Sequence, residues 1–199
     1  MSTTLVVYGF ETSNNYKVRM ALGYKGLDYE FRTIDKADRS EVLEVSGQRL
    51  TPVLVHGKTV LFDSAAILRY LDTNFPDTPK LFSGSHAEQW EIDSWEMFGR
   101  YELAGPMMTV VHKSVLVGQV DDSVKARCQE EFEAAVARLM ERLSDREWLV
   151  GERLTAADIT VAAVLRRIRE VGLFQFPAGA EDLLPYEERL MKHDGPGRA

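Results

Sequence analysis

A threonine–proline pair at the mouth of an apolar run restricts what this chain can fold into. Thr51-Pro52 stands directly before Val53-Leu54-Val55. Proline has no N–H to give to a sheet, so it belongs at a strand's first residue or on an edge. X-Pro bonds are also the ones with ready access to cis. A cis Thr51-Pro52 bond would turn the Thr51 backbone outward, where its N–H and C=O could pair with a peptide-like ligand, a strand addition one residue long. A proline that merely closes a loop is the plainer reading. A His56-Gly57-Lys58 turn then leads into a second short run, Thr59 to Phe62.

Asp63-Ser64 follows, where a helix should begin ahead of Ala65, Ala66, Ile67, Leu68, Tyr70 and Leu71. Both are preferred N-cap residues, and the open N–H groups of a helix start attract anions. The pair therefore suits ordinary capping. It also suits a ligand end that carries both a carboxylate and an ammonium, such as a γ-glutamyl group. The two roles are compatible.

Upstream, Thr4 to Tyr8 reads as a buried strand. Thr12, Ser13, Asn14 and Asn15 are all cap types, and Val18, Ala21 and Leu22 recur at helical spacing up to Gly26, a C-terminal cap. Leu27 to Ile34 alternates as a half-exposed strand, and Ser40 to Val45 is a short helix candidate. The order is β-α-β-α-β-β-α. A parallel opening followed by a hairpin and a last helix is the thioredoxin plan.

Phe75 to Gly84 holds two prolines and a glycine, and residues 77–84 read as a linker. Beyond it the pattern is helical throughout. Ser85 to Val117 is long and amphipathic, with a break expected at Gly105-Pro106. Val124, Cys128, Phe132, Ala135, Val136, Leu139, Met140 and Leu143 form one apolar stripe. Cys128 falls within it and is expected to be a buried structural thiol. Leu154-Thr155-Ala156-Ala157-Asp158-Ile159 carries a capping box with Asp in place of Glu, flanked by staple residues Leu154 and Ile159. Gly172 to Gly179 breaks the pattern, a short helix runs from about Glu181 to Lys192, and the tail from His193 is expected to fray.

The chain has 199 residues, a net charge of −7 and one cysteine. The acidic balance argues against nucleic-acid or acidic-membrane binding. A single cysteine excludes a disulfide framework and a CxxC redox pair. His56, His86, His112 and His193 are scattered, with no metal-ligand spacing, so no metal is expected. The N-terminal stretch lacks the pattern of a signal peptide, and no run reaches membrane-spanning length, so a cytoplasmic protein is expected.

Four motifs in order make the sequence resemble a glutathione transferase over nearly its whole length. They are Tyr16-Lys17-Val18-Arg19-Met20-Ala21-Leu22; Gly47-Gln48-Arg49-Leu50-Thr51-Pro52-Val53-Leu54; Asp63-Ser64-Ala65-Ala66-Ile67 with Tyr70-Leu71; and Gly151-x-x-x-Thr155-x-x-Asp158. The resemblance implies a thioredoxin-like, glutathione-binding domain at residues 1–76 (α+β) and an all-helical domain at 85–199. It also implies a homodimer, with glutathione as co-substrate. The γ-glutamyl end would fall on Asp63 and Ser64, and the cysteinyl backbone on Thr51 ahead of Pro52. Gln48 and Arg49 lie where the family often contacts the glycyl end, though Arg49 is equally plausible as a solvated surface residue.

For the sulfur, the family's serine or cysteine position falls on Thr12, with Ser13 beside it and Asn14 two residues on. Thr12-x-Asn14 looks like bacterial members in which Thr and Asn hold the thiolate. Without a cysteine there, mixed-disulfide chemistry is disfavoured. Tyr8 is the weaker alternative, and simple capping by Thr12 or Ser13 is the plainer one. Walls for a second-substrate pocket would come from Phe10, Glu11 and the Pro106 region, with Met107, Met108 and Val111 facing inward, or these are plain core.

Three departures from common family patterns stand out. Val45-Ser46-Gly47 stands where Asn-Pro before the glycine is frequent, Thr51 replaces Val, and no stretch after Gly172 reads as a long closing helix. The functions implied are glutathione attack on an electrophilic carbon in detoxification, or reduction of a peroxide or disulfide. A glutathione-dependent isomerase and a non-catalytic binding or regulatory protein remain as alternatives.

Overall fold

Five-residue β1, Leu5–Gly9, is buried at four positions and sits inside a four-stranded sheet of order β2-β1-β3-β4. Strand β2, Tyr29–Thr33, pairs parallel with β1. Strand β3, Val53–His56, runs antiparallel on its other side, with Tyr8 opposite Val53. Strand β4, Thr59–Phe62, closes the hairpin. The computed structural model describes residues 4–195.

The parallel crossover needs a helix, and α1, Ser13–Tyr24, supplies it. Gly26 lets it end: at φ +65 it takes the left-handed conformation, and Leu27 N–H returns to the Leu22 carbonyl at 3.0 Å. Helices α2, Ser40–Ser46, and α3, Ser64–Asn74, complete the order expected from the residues. The core beside the site joins Tyr8, Ile34, Val42 and Val53, with Phe10 and Val45 packed against it.

The contacts divide the chain into two compact units: residues up to 83 together with those from 190 onward, and residues 84–189. The first unit therefore reclaims the end of the chain. His193 and Asp194 pack in it instead of fraying: Asp194 takes a two-pronged hydrogen bond from Arg19, and the Tyr24 and His193 rings meet edge-on at 5.4 Å. Residues 196–199 of the expected frayed tail lie outside the described ones.

The second unit is helical: α4, His86–Met97; α5, Gly105–Val117; α6, Asp122–Leu143; α7, Ala156–Val171; and α8, Leu184–Met191, whose last two residues belong to the first unit. The break expected at Gly105-Pro106 opens earlier, as a π-helical turn at Phe98–Leu103. Ala104 N–H reaches back five residues to Gly99 at 3.2 Å. Pro106 then sits in the first turn of α5, where a missing N–H costs nothing. Gly99 lies against α7, so close that a Cβ would stand 3.0 Å from Thr160 Cγ2.

Helix α7 is buried from Ala156 to Leu165. The capping box is present, and Asp158 does more than cap. Its carboxylate accepts from Thr155 N–H and hydroxyl at 2.9 Å each, from Leu149 N–H at 2.8 Å, and from the Tyr186 hydroxyl at 3.1 Å. Burial pushes this carboxyl up, while the four donors pull it the other way. Cys128 is buried, and burial raises its thiol pKa, which suits a structural role.

Candidate glutathione site

The site residues of the first unit gather where three chain segments end together: the C-terminal end of β1, the start of β3 and the start of α3. Thr12 is the N-cap of α1, in extended backbone, with its Oγ1 accepting from Asn15 N–H at 3.4 Å. The Thr51-Pro52 bond is cis, as the sequence allowed. Asp63 caps α3: its Oδ1 accepts from Ala65 and Ala66 N–H at 3.0 and 3.1 Å. Among the described residues it is the non-glycine with positive φ, at 76°. Such a conformation is uncommon outside glycine, asparagine and aspartate, and it clusters at ligand-binding sites.

Two side-chain bridges tie the three segments. The Ser64 hydroxyl donates to Asn14 Oδ1 at 3.1 Å, joining the first turns of α3 and α1. The Asn15 amide nitrogen donates to Thr12 Oγ1 at 2.7 Å and to Thr51 Oγ1 at 3.1 Å, joining α1 to the proline loop. Two helix N-termini thus converge on one place, and aligned N–H groups there favour an anion.

The structure brings together Thr12, Asn14, Thr51, Pro52, Asp63 and Ser64, with Ser13 as the first residue of α1. Gln48 faces its own loop. Its amide donates to Ser46 Oγ at 2.8 Å and to the Leu50 carbonyl at 2.9 Å, and it accepts from Leu50 N–H. Arg49 is exposed, and its carbonyl accepts from Arg39 at 3.1 Å. Tyr8 is ruled into the core: it is 6% exposed, and its hydroxyl accepts from Arg32 at 2.8 Å.

Met107, Met108 and Val111 do not all face inward as expected. Met107 is buried, whereas Met108 and Val111 are exposed. Consecutive helical residues point about 100° apart, so Met107 and Met108 cannot share a face, while Met108 and Val111, three apart, can. Phe10 is half-buried, with the Arg39 guanidinium 4.9 Å from its ring centre.

The residue that reading the sequence missed is Asn15. It looks like one more cap-type residue after Thr12, Ser13 and Asn14. A signal was available: Asn15, Val18 and Leu22 fall on one helix face at i, i+3, i+7, and all three are buried. A polar residue on an apolar stripe must find internal partners.

Among the described residues no group of three or more His, Cys, Asp or Glu side chains is placed to hold a metal ion. No described helix is long and apolar enough to cross a membrane.

Residues 7–79 match the family model for the glutathione S-transferase N-terminal domain, and residues 100–192 match that for the C-terminal domain. The chain belongs to the glutathione S-transferase family. It is 41% identical to glutathione S-transferase 1 of Dianthus caryophyllus over 80 residues, 38% of this chain and 36% of that protein. The chain thus spans about a third of the length of that relative. A longer match, 26% identical, is to the probable maleylacetoacetate isomerase of Vibrio cholerae, over 78% of this chain and 77% of the relative. The fold is similar to that of the Bombyx mori glutathione transferase BmGSTD1, with a TM-score of 0.80 at 21% identity, covering 99% of this chain and 92% of the other.

Proposed function

We propose that the chain is an active glutathione transferase whose sulfur site is the Thr12 end of α1. The observation that carries this reading is the Ser64–Asn14 bridge, which holds the first turns of two helices against one anion-favouring space. The residues fit the tripeptide. The start of α3 at Asp63 and Ser64 offers an acceptor and donors for the γ-glutamyl end. The Thr51 backbone ahead of Pro52 pairs with the cysteinyl unit, and Arg49 supplies charge for the glycyl carboxylate.

The thiol loses its proton to solvent, and Thr12, with Asn14 beside it, stabilises the sulfur anion. The thiolate then forms a bond to an electrophilic carbon, and that carbon's leaving group departs with the displaced electron pair. Hydroxyl donation of this kind shifts an acid–base equilibrium by one or two units, about 1.4–3 kcal/mol. Holding both reactants together supplies more. Phe10, in the first unit, is assigned to the electrophile. Peroxide or disulfide reduction by the same thiolate belongs to this reading, as do a homodimeric assembly and a cytoplasmic location.

One comparison favours a second reading. The Vibrio cholerae relative is described as a probable isomerase. In this second reading the thiolate adds to a carbon–carbon double bond of the substrate, the resulting single bond rotates, and elimination returns the glutathione unchanged.

Calorimetric titration with glutathione, followed by ultraviolet thiolate absorbance against pH on the same sample, tests the proposal. Saturable binding with the bound thiol below its free pKa of ~8.5 is expected. No binding at millimolar glutathione overturns it. Counting glutathione after turnover separates the two readings, since a transferase consumes it and an isomerase returns it.

A further inference from the structure

Asn15 is fully buried, yet both of its amide hydrogens are committed to hydroxyl oxygens: one to Thr12 Oγ1 at 2.7 Å, the other to Thr51 Oγ1 at 3.1 Å. Thr12 Oγ1 also shares the Asn15 backbone N–H, at 3.4 Å, with the Thr12 carbonyl, which takes it at 3.0 Å. A hydroxyl has two acceptor lone pairs and one donor hydrogen. With the amide N–H on one lone pair and the backbone N–H leaning on the other, the Thr12 hydrogen has to point away from Asn15, and the residue is half-buried.

The amide's orientation carries the point, because a reversed amide would accept from Thr12 and capture that hydrogen. Gly9 argues against reversal. Asn15 Oδ1 lies 1.7 Å from where a Gly9 Cβ would stand, so the glycine hydrogen in that direction faces the oxygen. A Cα–H group suits a carbonyl oxygen and gives an N–H nothing to bond. Oδ1 has no conventional hydrogen-bond partner among the described residues, so this contact is where it rests.

We infer that Asn15 is a positioning residue that fixes the proton polarity of Thr12, keeping its hydroxyl a donor toward the glutathione sulfur. The inference deepens the proposed transferase reading and rests on it for the sulfur. The local claim about Asn15 can be checked without glutathione.

Two sets of measurements test it. In the ligand-free protein, the side-chain NH2 resonances of Asn15 report the donor direction. Thr12→Val should move one of the two protons and Thr51→Val the other. If neither moves, the polarity assignment is overturned whatever the protein does with glutathione.

With glutathione bound, Asn15→Asp keeps the size and reverses the polarity: a carboxylate accepts the Thr12 hydrogen and withdraws it from the sulfur. The bound thiol's pKa should return toward ~8.5. Thiolate becomes about tenfold scarcer per unit below the pKa, but its nucleophilicity rises with a slope of about 0.4–0.5, so turnover at neutral pH should fall about threefold per unit. Above both pKa values the variant should be the faster enzyme, a crossing that a merely loosened site would not show.

Asn15→Ala removes the donors without adding charge and should shift the thiol the same way by less. Adding Asn15→Asp to Thr12→Val separates action through Thr12 from direct charge repulsion. No further pKa rise in the double variant is expected. A rise as large as in the wild-type background, or an unshifted thiol in both Asn15 variants, overturns the inference.

Discussion

Arg19 grips Asp194 with two parallel hydrogen bonds, Nε to Oδ1 at 2.6 Å and Nη2 to Oδ2 at 2.7 Å, across 175 positions of sequence. Both side chains are nearly enclosed, at 12% and 10% exposure. The guanidinium also lies 5.1 and 5.0 Å from the Tyr16 and Phe31 ring centres. Burial alone would lower the Arg19 pKa, but the Asp194 carboxylate, with Glu11, outweighs it and holds the charge in place. This planar, two-pronged contact suits arginine and not lysine.

Asp194→Ala should therefore leave a mostly enclosed cation with the exposed Glu11 as its remaining carboxylate among the described residues, and cost about 2–4 kcal/mol of stability. Arg19→Lys should cost nearly as much as Arg19→Ala, because it keeps the charge and loses the fork. Urea midpoints at constant m-value would check both. Equal stability of Arg19→Lys and wild type would refute the two-pronged account.

His193 makes the same segment pH-sensitive. Burial lowers its pKa below the ordinary ~6.5. A base whose folded pKa is depressed is favoured neutral in the native state. As pH falls through 6.5 the unfolded chain takes up a proton that the folded chain resists, so stability is lost on the acid side. The wild-type protein should lose stability relative to His193→Phe between pH 7.5 and 5.5, and the two should run parallel above pH 7.5. A pH-independent difference would remove His193 from the account.

What the sequence revealed and what it hid divide by distance along the chain. Caps, glycine stops and the Thr155–Asp158 box span three or four residues, so their physics is visible in the local string. The β-α-β-α-β-β-α order follows from periodicity for the same reason. The Arg19–Asp194 clamp is long-range, and nothing near His193 announces it. Tyr186 on Asp158 is likewise invisible until the helices pack. The methionine pair misled because Met107 and Met108 look alike in composition, while a rotation of about 100° separates core from surface. Asn15 was hidden by similar neighbours, although its place on the Val18–Leu22 face marked it out.

The Asp158 knot has a measurable weight. Its removal by Asp158→Ala would strip partners from Leu149 N–H and Thr155 N–H and leave the Tyr186 hydroxyl its longer, 3.5 Å bond to the backbone carbonyl at position 158, all in a buried setting. Each unsatisfied group costs about 1–3 kcal/mol, and a total near 3–5 kcal/mol is expected. Asp158→Asn, which keeps one accepting oxygen, should cost about half of that. Calorimetric melting of the two variants checks the order, and equal melting temperatures for Asp158→Ala and wild type would mean the knot is idle.

Ser64 and Thr12 sit at different helix starts, and the proposed roles separate accordingly. Ser64 is 5% exposed, begins α3 and orients Asn14 through its hydroxyl. Ser64→Ala removes the hydroxyl that holds Asn14 against the start of α3 and leaves that amide oxygen without its donor, so glutathione affinity should fall about tenfold, as expected for the loss of a hydrogen bond that orders the site. Thr12→Ala leaves the start of α3 intact and removes the donor assigned to the sulfur. It should lower kcat more than it raises the Kd for glutathione, the pattern of an interaction made chiefly with the anion that reacts. It should also return the bound thiol toward its free pKa, which Ser64→Ala should not. Titration calorimetry with steady-state kinetics on both variants reads the two axes independently. The opposite ordering would exchange the roles of the two hydroxyls, placing the sulfur at α3 and the γ-glutamyl end at α1.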